Sequence, residues 1–175
     1  MNHNADHHQL IRNLGRAGLI PFVLLALMVW LLGDNDLQPF VATALAGYAA
    51  IIASFLGGIH WGAAWVHSEA GSSHRDEHQV PALWWGIMAS LLAWLGVLIP
   101  ILTCLVWYLA QGQLDIAEIK LQAKSGLIWL GLLLVACYLV DRKLYPSAGL
   151  QHWLTLRFHL STVASLSCLL AAGAL

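Results

Sequence analysis

The chain has 175 residues, of which 59% are hydrophobic and 10% are charged. Soluble domains average about 25% charged residues, so this composition is typical of an integral membrane protein. The formal net charge of −1 gives no electrostatic basis for binding nucleic acid. The three cysteines lie far apart without CxxC or zinc-type spacing, so no disulfide framework or redox pair is indicated. The length allows one helical bundle and no separate soluble domain.

A polar, histidine-containing tail at 1–13 precedes the first predicted span at 14–32. The tail lacks a cationic n-region, so we interpret the first apolar run as a retained helix rather than a cleaved signal peptide. Arg12 and Arg16 lie at its start. Pro21 lies about one turn inside the span, where it is expected to loosen or kink the helix.

The second predicted span, 40–65, is rich in small residues. Small side chains recur at every fourth position, at Ala42, Ala46, Ala50, Ser54, Gly58 and Gly62. Such a ridge lets neighbouring backbones approach closely in a membrane. The sequence therefore predicts a helix-packing face that includes Ser54, Gly57, Gly58 and Gly62, and Gly58→Leu is expected to damage assembly.

Three further spans are predicted at 81–99, 125–140 and 154–174. Pro100 is expected to break or bend the chain after the third of them. The apolar part of the segment 101–124 is too short to cross a membrane alone. It is expected to be an interfacial helix or an extension of a neighbouring span.

The distribution of Lys and Arg predicts the orientation, because positive charge accumulates on the cytoplasmic side. With the N-terminus inside, the outer side carries only Lys120 and Lys124. The inner side carries Arg12, Arg16, Arg75, Arg142, Lys143 and Arg157. The predicted fold is an all-α transmembrane bundle over residues 14–175, with five spans, the N-terminus inside and the C-terminus outside. A four-span or six-span alternative would need 101–110 merged with a neighbour or counted separately.

Three short motifs occur in order along the chain. They are Gly18-Leu19-Ile20-Pro21-Phe22, then Ser54-Phe55-Leu56-Gly57-Gly58-Ile59-His60-Trp61-Gly62, then Asp141-Arg142 followed by Trp153-Leu154-Thr155-Leu156-Arg157. In these motifs the chain resembles a domain-of-unknown-function family of small inner-membrane proteins from bacteria and mitochondria, whose human member is simply called a transmembrane protein. The resemblance covers most of the chain, and 54–62 is its most specific part. It implies a multi-pass helical protein of the inner membrane and supplies no chemistry.

All nine histidines fall on the inner side of this topology. His60 and His67 are seven residues apart and therefore share one helix face, and His152 and His159 are related in the same way. Facing imidazoles from two helices could hold haem iron or another metal. Alternatively, His60 bonds to a neighbouring helix and serves only packing, while His67 and His152 are wet interfacial residues.

Arg157 is the second polar signal, because it lies just inside the fifth span. A charge at this depth snorkels to the head groups, pairs with a carboxylate, or faces the bundle interior. Glu69 and Asp141 are candidate partners, and an anionic lipid or a quinone-like head group is a candidate ligand. Trp61 belongs to an inner tryptophan cluster that either anchors the bundle at the interface or walls a pocket beside His60.

No enzyme motif is present, since the sequence lacks HExxH, GxSxG, a P-loop and paired membrane carboxylates. We therefore expect a non-catalytic structural, assembly or partner-binding bundle, surrounded by the lipid bilayer of the inner membrane. Its partners would be other inner-membrane proteins or a second copy of itself. The alternative is a haem-, metal- or quinone/lipid-binding protein that uses His60, His159 and Arg157. A transporter is disfavoured, because there is no internal repeat and no second broken helix.

Overall fold

The computed structural model describes the backbone of residues 3–33, 35–69, 76–146 and 149–175, and the side chains of 9–33, 35–65, 80–146 and 149–175. These residues form six α-helices and one short 3₁₀ turn, with no strand. The helices are α1 (His3–Ala17), α2 (Ile20–Leu32), α3 (Gln38–Glu69), α4 (Asp76–Gln111), α5 (Ile116–Leu144) and α6 (Leu154–Gly173). The 3₁₀ turn, Gln151–Trp153, leads into α6.

Within the part of the chain that the structure describes, five helical segments are long and apolar enough to cross a bilayer. They are Gln9–Leu32, Gln38–Trp65, Val80–Gln111, Ile116–Leu144 and Gln151–Gly173. The predicted all-α bundle of five spans is therefore confirmed. The placement of the N-terminus on the inner side stays a prediction from the Lys and Arg distribution.

The first span is made of two helices, because the chain is interrupted at Gly18 and Leu19 between α1 and α2. Pro21 lies in the first turn of α2, where its missing N–H removes no helical hydrogen bond. The Tyr48 hydroxyl of α3 donates to the Gly18 carbonyl at 2.8 Å and ties the interruption to the bundle. The kink expected at Pro21 thus takes the form of a break just before it.

The segment 101–124 continues two spanning helices. Helix α4 runs through Pro100 as far as Gln111, so this proline does not end the helix. Gly112, with φ of +71°, turns the chain, and the Asp115 side chain caps α5 by accepting from the backbone N–H of Ala117 at 3.3 Å. Of the two structures expected for 101–124, the helix extension is the one observed.

Helix α3 lies at the centre of the bundle and contacts α2, α4, α5 and α6. Besides Gln38 and Pro39 in its first turn, it buries Ala42, Leu45, Ala46, Ala49, Ala53, Leu56, Gly57, His60 and Ala64. A line of every fourth residue turns by about 40° per step around a helix. The predicted ridge therefore leaves this interface before its end.

Only one glycine of the predicted packing face makes a close contact within the chain. A Cβ on Gly57 would lie 2.5 Å from the Gly86 carbonyl oxygen of α4, so a side chain there would push the two helices apart. Ser54 is half-buried, whereas Gly58 and Gly62 are exposed and a Cβ on either would meet nothing within 4 Å. Within the chain the tight approach is thus at Gly57, and the damage to assembly expected from Gly58→Leu stays a prediction.

At the end of the bundle where α3 begins, a buried amide connects three helices. Gln38 is 1% exposed, and its Nε2 donates to the carbonyls of Val29 at 3.1 Å and Ala174 at 2.9 Å. Trp30 Nε1 donates to the Leu170 carbonyl at 3.1 Å beside it. This "Gln38 end" fixes α2 and α6 against the start of α3. The opposite end, where α3 and α5 finish and α6 starts, carries the candidate site and is called the "His60 end".

Candidate ligand-binding site

Three ionisable side chains meet in the interior at the His60 end. His60 of α3, Asp141 of α5 and Arg157 of α6 are 4%, 1% and 7% exposed. His60 Nε2 lies 2.7 Å from Asp141 Oδ1, and Arg157 Nε donates to Asp141 Oδ2 at 2.8 Å. A second Arg157 nitrogen, Nη2, also contacts Oδ2. Asp141 therefore joins three spanning helices through one carboxylate.

The hydrogen bonds define the charge of this cluster. An ionised carboxylate can only accept, so His60 Nε2 carries the proton that it donates to Asp141. With His60 neutral, the charges of Asp141 and Arg157 cancel. Burial of an unpaired charge is costly, whereas a paired and hydrogen-bonded one is tolerated. The charge of Arg157 is therefore paired with that of Asp141 inside the bundle.

Tyr145 covers one side of the cluster just after the end of α5. Its side chain is 3% exposed, and its ring centroid lies 5.8 Å from that of His60. Burial raises the pKa of the Tyr145 phenol to about 12, although the positive charge of Arg157 and a hydrogen bond from it act in the opposite direction. The phenol is thus a neutral hydroxyl throughout the physiological pH range.

A cavity of about 600 Å³ lies next to the cluster, between the α1–α2 segment, α3 and α6. Ligand cavities in proteins span about 300–1,000 Å³. The lining is almost entirely hydrocarbon, with Ile11 and Leu14 of α1 among the contributors. Its polar members include Arg157, Ser161 and Tyr145. Ser161 Oγ is buried and has no hydrogen-bond partner among the described residues.

The cavity occupies one half of the membrane-spanning region. Along α6 its lining extends from Trp153 to Ala164. At 1.5 Å per residue this stretch measures about 16 Å, which is close to half of a hydrocarbon core about 30 Å thick. The cavity therefore has the length of a chain from a single leaflet.

Comparison with known proteins agrees with this architecture. Residues 8–173 match DUF3429, a family described as proteins of unknown function. The chain belongs to this family. One relative, Transmembrane protein 69 of Xenopus tropicalis, is 40% identical to this chain over 88 residues. The matched residues are 49% of this chain and 31% of the relative. The match thus covers less than a third of that protein. No solved structure matches the DUF3429 chain.

Among the predicted site residues, His60 and Arg157 come together, and His159 does not join them. His159 is exposed, and its Nδ1 lies 2.7 Å from the Thr155 carbonyl on its own helix. Two residues correspond to about 200° around a helix, so His159 lies nearly opposite Arg157. The facing imidazole pair of the haem hypothesis is therefore not formed by His60 and His159. Among the side chains that the structure describes, no group of three or more His, Cys, Asp or Glu could hold a metal ion.

The remaining predicted residues lie outside the cluster. His152 is exposed in the 3₁₀ turn, with its ring centroid 5.0 Å from that of Trp153. Trp61 is 46% exposed, and its Nε1 donates to the Leu83 carbonyl at 3.1 Å, which links α3 to α4. The side chain of His67 lies outside the described residues. Trp153, rather than Trp61, lines the cavity.

Three residues of the site were not predicted as site residues. Asp141 was considered only as a partner for Arg157, and Tyr145 was not considered. A sequence signal for both exists, since they continue the buried stripe of α5 at helical spacing, after Leu127, Leu130, Leu134 and Cys137. Ser161, one turn beyond Arg157 on α6, is the third of these residues. An apolar stripe that ends in an acid and a tyrosine predicts that those side chains also point inward.

Proposed function

We propose that this chain is a non-catalytic, integral protein of the inner membrane that binds a lipid-like molecule in the cavity at the His60 end. The occupant would be a long hydrocarbon chain that carries one polar group. The observation that supports this proposal is the cavity itself. It is apolar, one leaflet long, and has polar side chains on only part of its wall.

The buried cluster has a supporting role in this proposal. Both oxygens of Asp141 are engaged by His60 and Arg157, so the cluster holds α3, α5 and α6 together beside the cavity. Arg157 is the member that also reaches the lining. A fixed cavity wall binds with a smaller loss of conformational entropy than a mobile one.

The test is to purify the protein from membranes and quantify the bound lipids and other amphiphiles by mass spectrometry. Ala164→Phe places a phenyl ring at a buried lining position, and Leu166→Phe adds a similar ring on the lipid-facing side of the same helix. We expect the first variant to lose the bound molecule and the second to keep it. A folded Ala164→Phe protein with an unchanged ligand-to-protein ratio would overturn the proposal. If that variant does not fold, Leu160→Trp tests the same wall from a half-buried position.

A second candidate function is partner binding through the outer face of α3. The sequence also predicts a partner-binding bundle with small residues on this helix. Gly58 and Gly62 are exposed, and a Cβ on either would meet nothing in this chain. Small residues on a lipid-facing helix surface are typical of contacts between membrane helices. Gly58→Leu should then leave the monomer stable. It should either lower the mass of the assembly in light scattering or remove a protein that co-purifies with the wild type. Gly173→Leu, at an exposed glycine of α6, should change neither.

The proposed orientation follows from the excess of Lys and Arg on one side. It places the His60 end at the cytoplasmic leaflet. A reporter fused after Leu175 should be active on the outer side of the membrane. Cytoplasmic activity of that reporter would reverse the assigned orientation. The cavity would then be filled from the opposite leaflet.

A further inference from the structure

We infer that the cavity selects a neutral hydrogen-bond acceptor, a carbonyl oxygen attached to a long hydrocarbon chain, over an anionic head group. This inference rests on the proposed function, since it specifies the chemistry of the bound molecule.

The polar groups at the wall are hydrogen-bond donors. The guanidinium of Arg157 has five N–H groups, which is more than its contacts with Asp141 and its hydrogen bond to Tyr145 use. Ser161 is a lining residue, and its buried hydroxyl has no partner among the described residues. A change of its χ1 rotamer is enough to reorient that hydroxyl. An acceptor oxygen on the ligand would therefore form hydrogen bonds with donor groups of Arg157 and Ser161 that the described residues do not use.

The net charge of the wall favours a neutral ligand. Arg157 is already neutralised by Asp141, which contacts two of its nitrogens. An anionic head group here would place a second negative charge beside Asp141 in a hydrocarbon-lined space. An unpaired buried charge costs several kcal/mol, whereas a carbonyl oxygen brings no charge. An unpaired arginine in water would attract a phosphate or a carboxylate. Arg157 is thus not available to such an anion here, because it is already paired with Asp141.

The depth of the donors also limits the ligand. Arg157 and Ser161 lie four and eight residues beyond Trp153, which corresponds to about 6 and 12 Å along α6. The acceptor therefore sits inside the hydrocarbon region, with apolar wall continuing to Ala164. Isoprenoid quinones and the esters of neutral glycerides are uncharged membrane molecules that combine carbonyl oxygens with long hydrocarbon chains. The shared group is the carbonyl.

The experiment is a competition assay with the purified protein in a steroid-based detergent, whose rigid tail is a poor mimic of an alkyl chain. Radiolabelled methyl palmitate is the probe, and the competitors are hexadecane, palmitate at pH 9, dioleoylglycerol and decyl-benzoquinone. The methyl ester and the free acid share a chain and differ in charge. Dioleoylglycerol and the quinone distinguish the two sources of the carbonyl.

We expect methyl palmitate to bind about 5-fold more tightly than hexadecane, which corresponds to one hydrogen bond. Palmitate should bind at least about 10-fold more weakly than its ester. Palmitate that binds as tightly as the ester, or more tightly, would overturn the inference and leave the proposed function intact. If neither the ester nor hexadecane binds, the proposed function itself fails.

A pair of serine variants tests the donor assignment. Ser161→Ala should weaken methyl palmitate about 5-fold and leave hexadecane unchanged, because only the ester has an acceptor for the hydroxyl. Ser165→Ala is the control, since Ser165 is buried on the same helix but donates to the Gly131 carbonyl at 2.9 Å. It should alter neither affinity. Equal loss of ester and alkane binding in Ser161→Ala would show a change of cavity shape and would contradict the hydroxyl as a ligand donor.

Discussion

Asp141→Asn is expected to destabilise the bundle more than other single polar substitutions of the same size. The asparagine keeps the shape of the side chain and removes its charge, which leaves Arg157 buried at 7% exposure without its counter-ion. His60 can adapt, because a neutral imidazole with its proton on Nδ1 accepts at Nε2. Arg157 cannot lose its proton. Breaking one partner of a buried ion pair costs about 3–5 kcal/mol.

The assay is thermal denaturation in detergent followed by circular dichroism, with one scan rate for all variants because unfolding of membrane proteins is often irreversible. For a chain of this length, 1 kcal/mol corresponds to about 2–4 °C in Tm, so we expect a decrease of about 6–20 °C. Asp115→Asn is the control, since Asp115 is an exposed helix cap and Asn caps equally well. A Tm for Asp141→Asn within about 2 °C of the wild type would refute the reasoning.

A double variant separates lost charge balance from lost packing. Asp141→Leu combined with Arg157→Met removes both charges and keeps apolar volume in the interior. Replacement of a whole buried pair by hydrophobic residues is often neutral or stabilising. We therefore expect this protein to melt above Asp141→Asn. A lower Tm than the single variant would indicate that the hydrogen bonds, rather than the uncompensated charge, dominate.

The remaining predictions concern single contacts. Gly57→Leu should lower the Tm or abolish folding, whereas Gly58→Leu should not, because only a Gly57 Cβ would meet backbone of α4, at 2.5 Å; equal Tm values in both variants would contradict the close approach. Gln38→Leu should cost about 1–3 kcal/mol, since it removes the donor to the Val29 and Ala174 carbonyls; a change below about 0.5 kcal/mol, which is the size of a typical surface substitution, would argue against the connection. The pKa of Tyr145 is raised from 10.0 to about 12, so its contribution to stability is complete below pH 10 and falls as the pH rises towards 12. In this range the free energy of unfolding should fall by up to about 1.4 kcal/mol per pH unit. Denaturation of the wild type at pH 9 and pH 11 should show this loss, and denaturation of Tyr145→Phe at the same pH values should not.

The five spans could be predicted from the sequence because each requires only a long apolar segment, and the bilayer restricts such segments to helices. Their ends were predicted less well. Asp141 is followed by Arg142 and Lys143, so this region was assigned to a polar loop. Helix α5 continues to Leu144 and keeps Asp141 on its buried face while Arg142 and Lys143 are exposed. The face of a helix, rather than local polarity, decides which charges are interior.

The site could be predicted in part. Arg157 was identified because a charge in an apolar span requires a partner, and His60 because it follows a small-residue helix face. His159 was grouped with them although it is only two residues from Arg157, and helical geometry alone places the two on different sides. The cavity could not be predicted from the sequence. Its lining combines residues from both sides of the break between α1 and α2, such as Ile11 and Phe22, with residues of α3 and α6 that are far away in the sequence.

Internal charge neutralisation also affects how the protein sits in its bilayer. A snorkelling arginine keeps a helix end at the level of the phosphates, whereas Arg157 has its counter-ion within the bundle. The His60 end can therefore move deeper into a thicker membrane without depriving Arg157 of its counter-ion. Hydrophobic mismatch at this end is limited by the exposed residues Arg142 and Lys143, whose flexible side chains can extend to the surface. The depth of the bundle is thus set by its outer charges, and its interior ion pair moves with it.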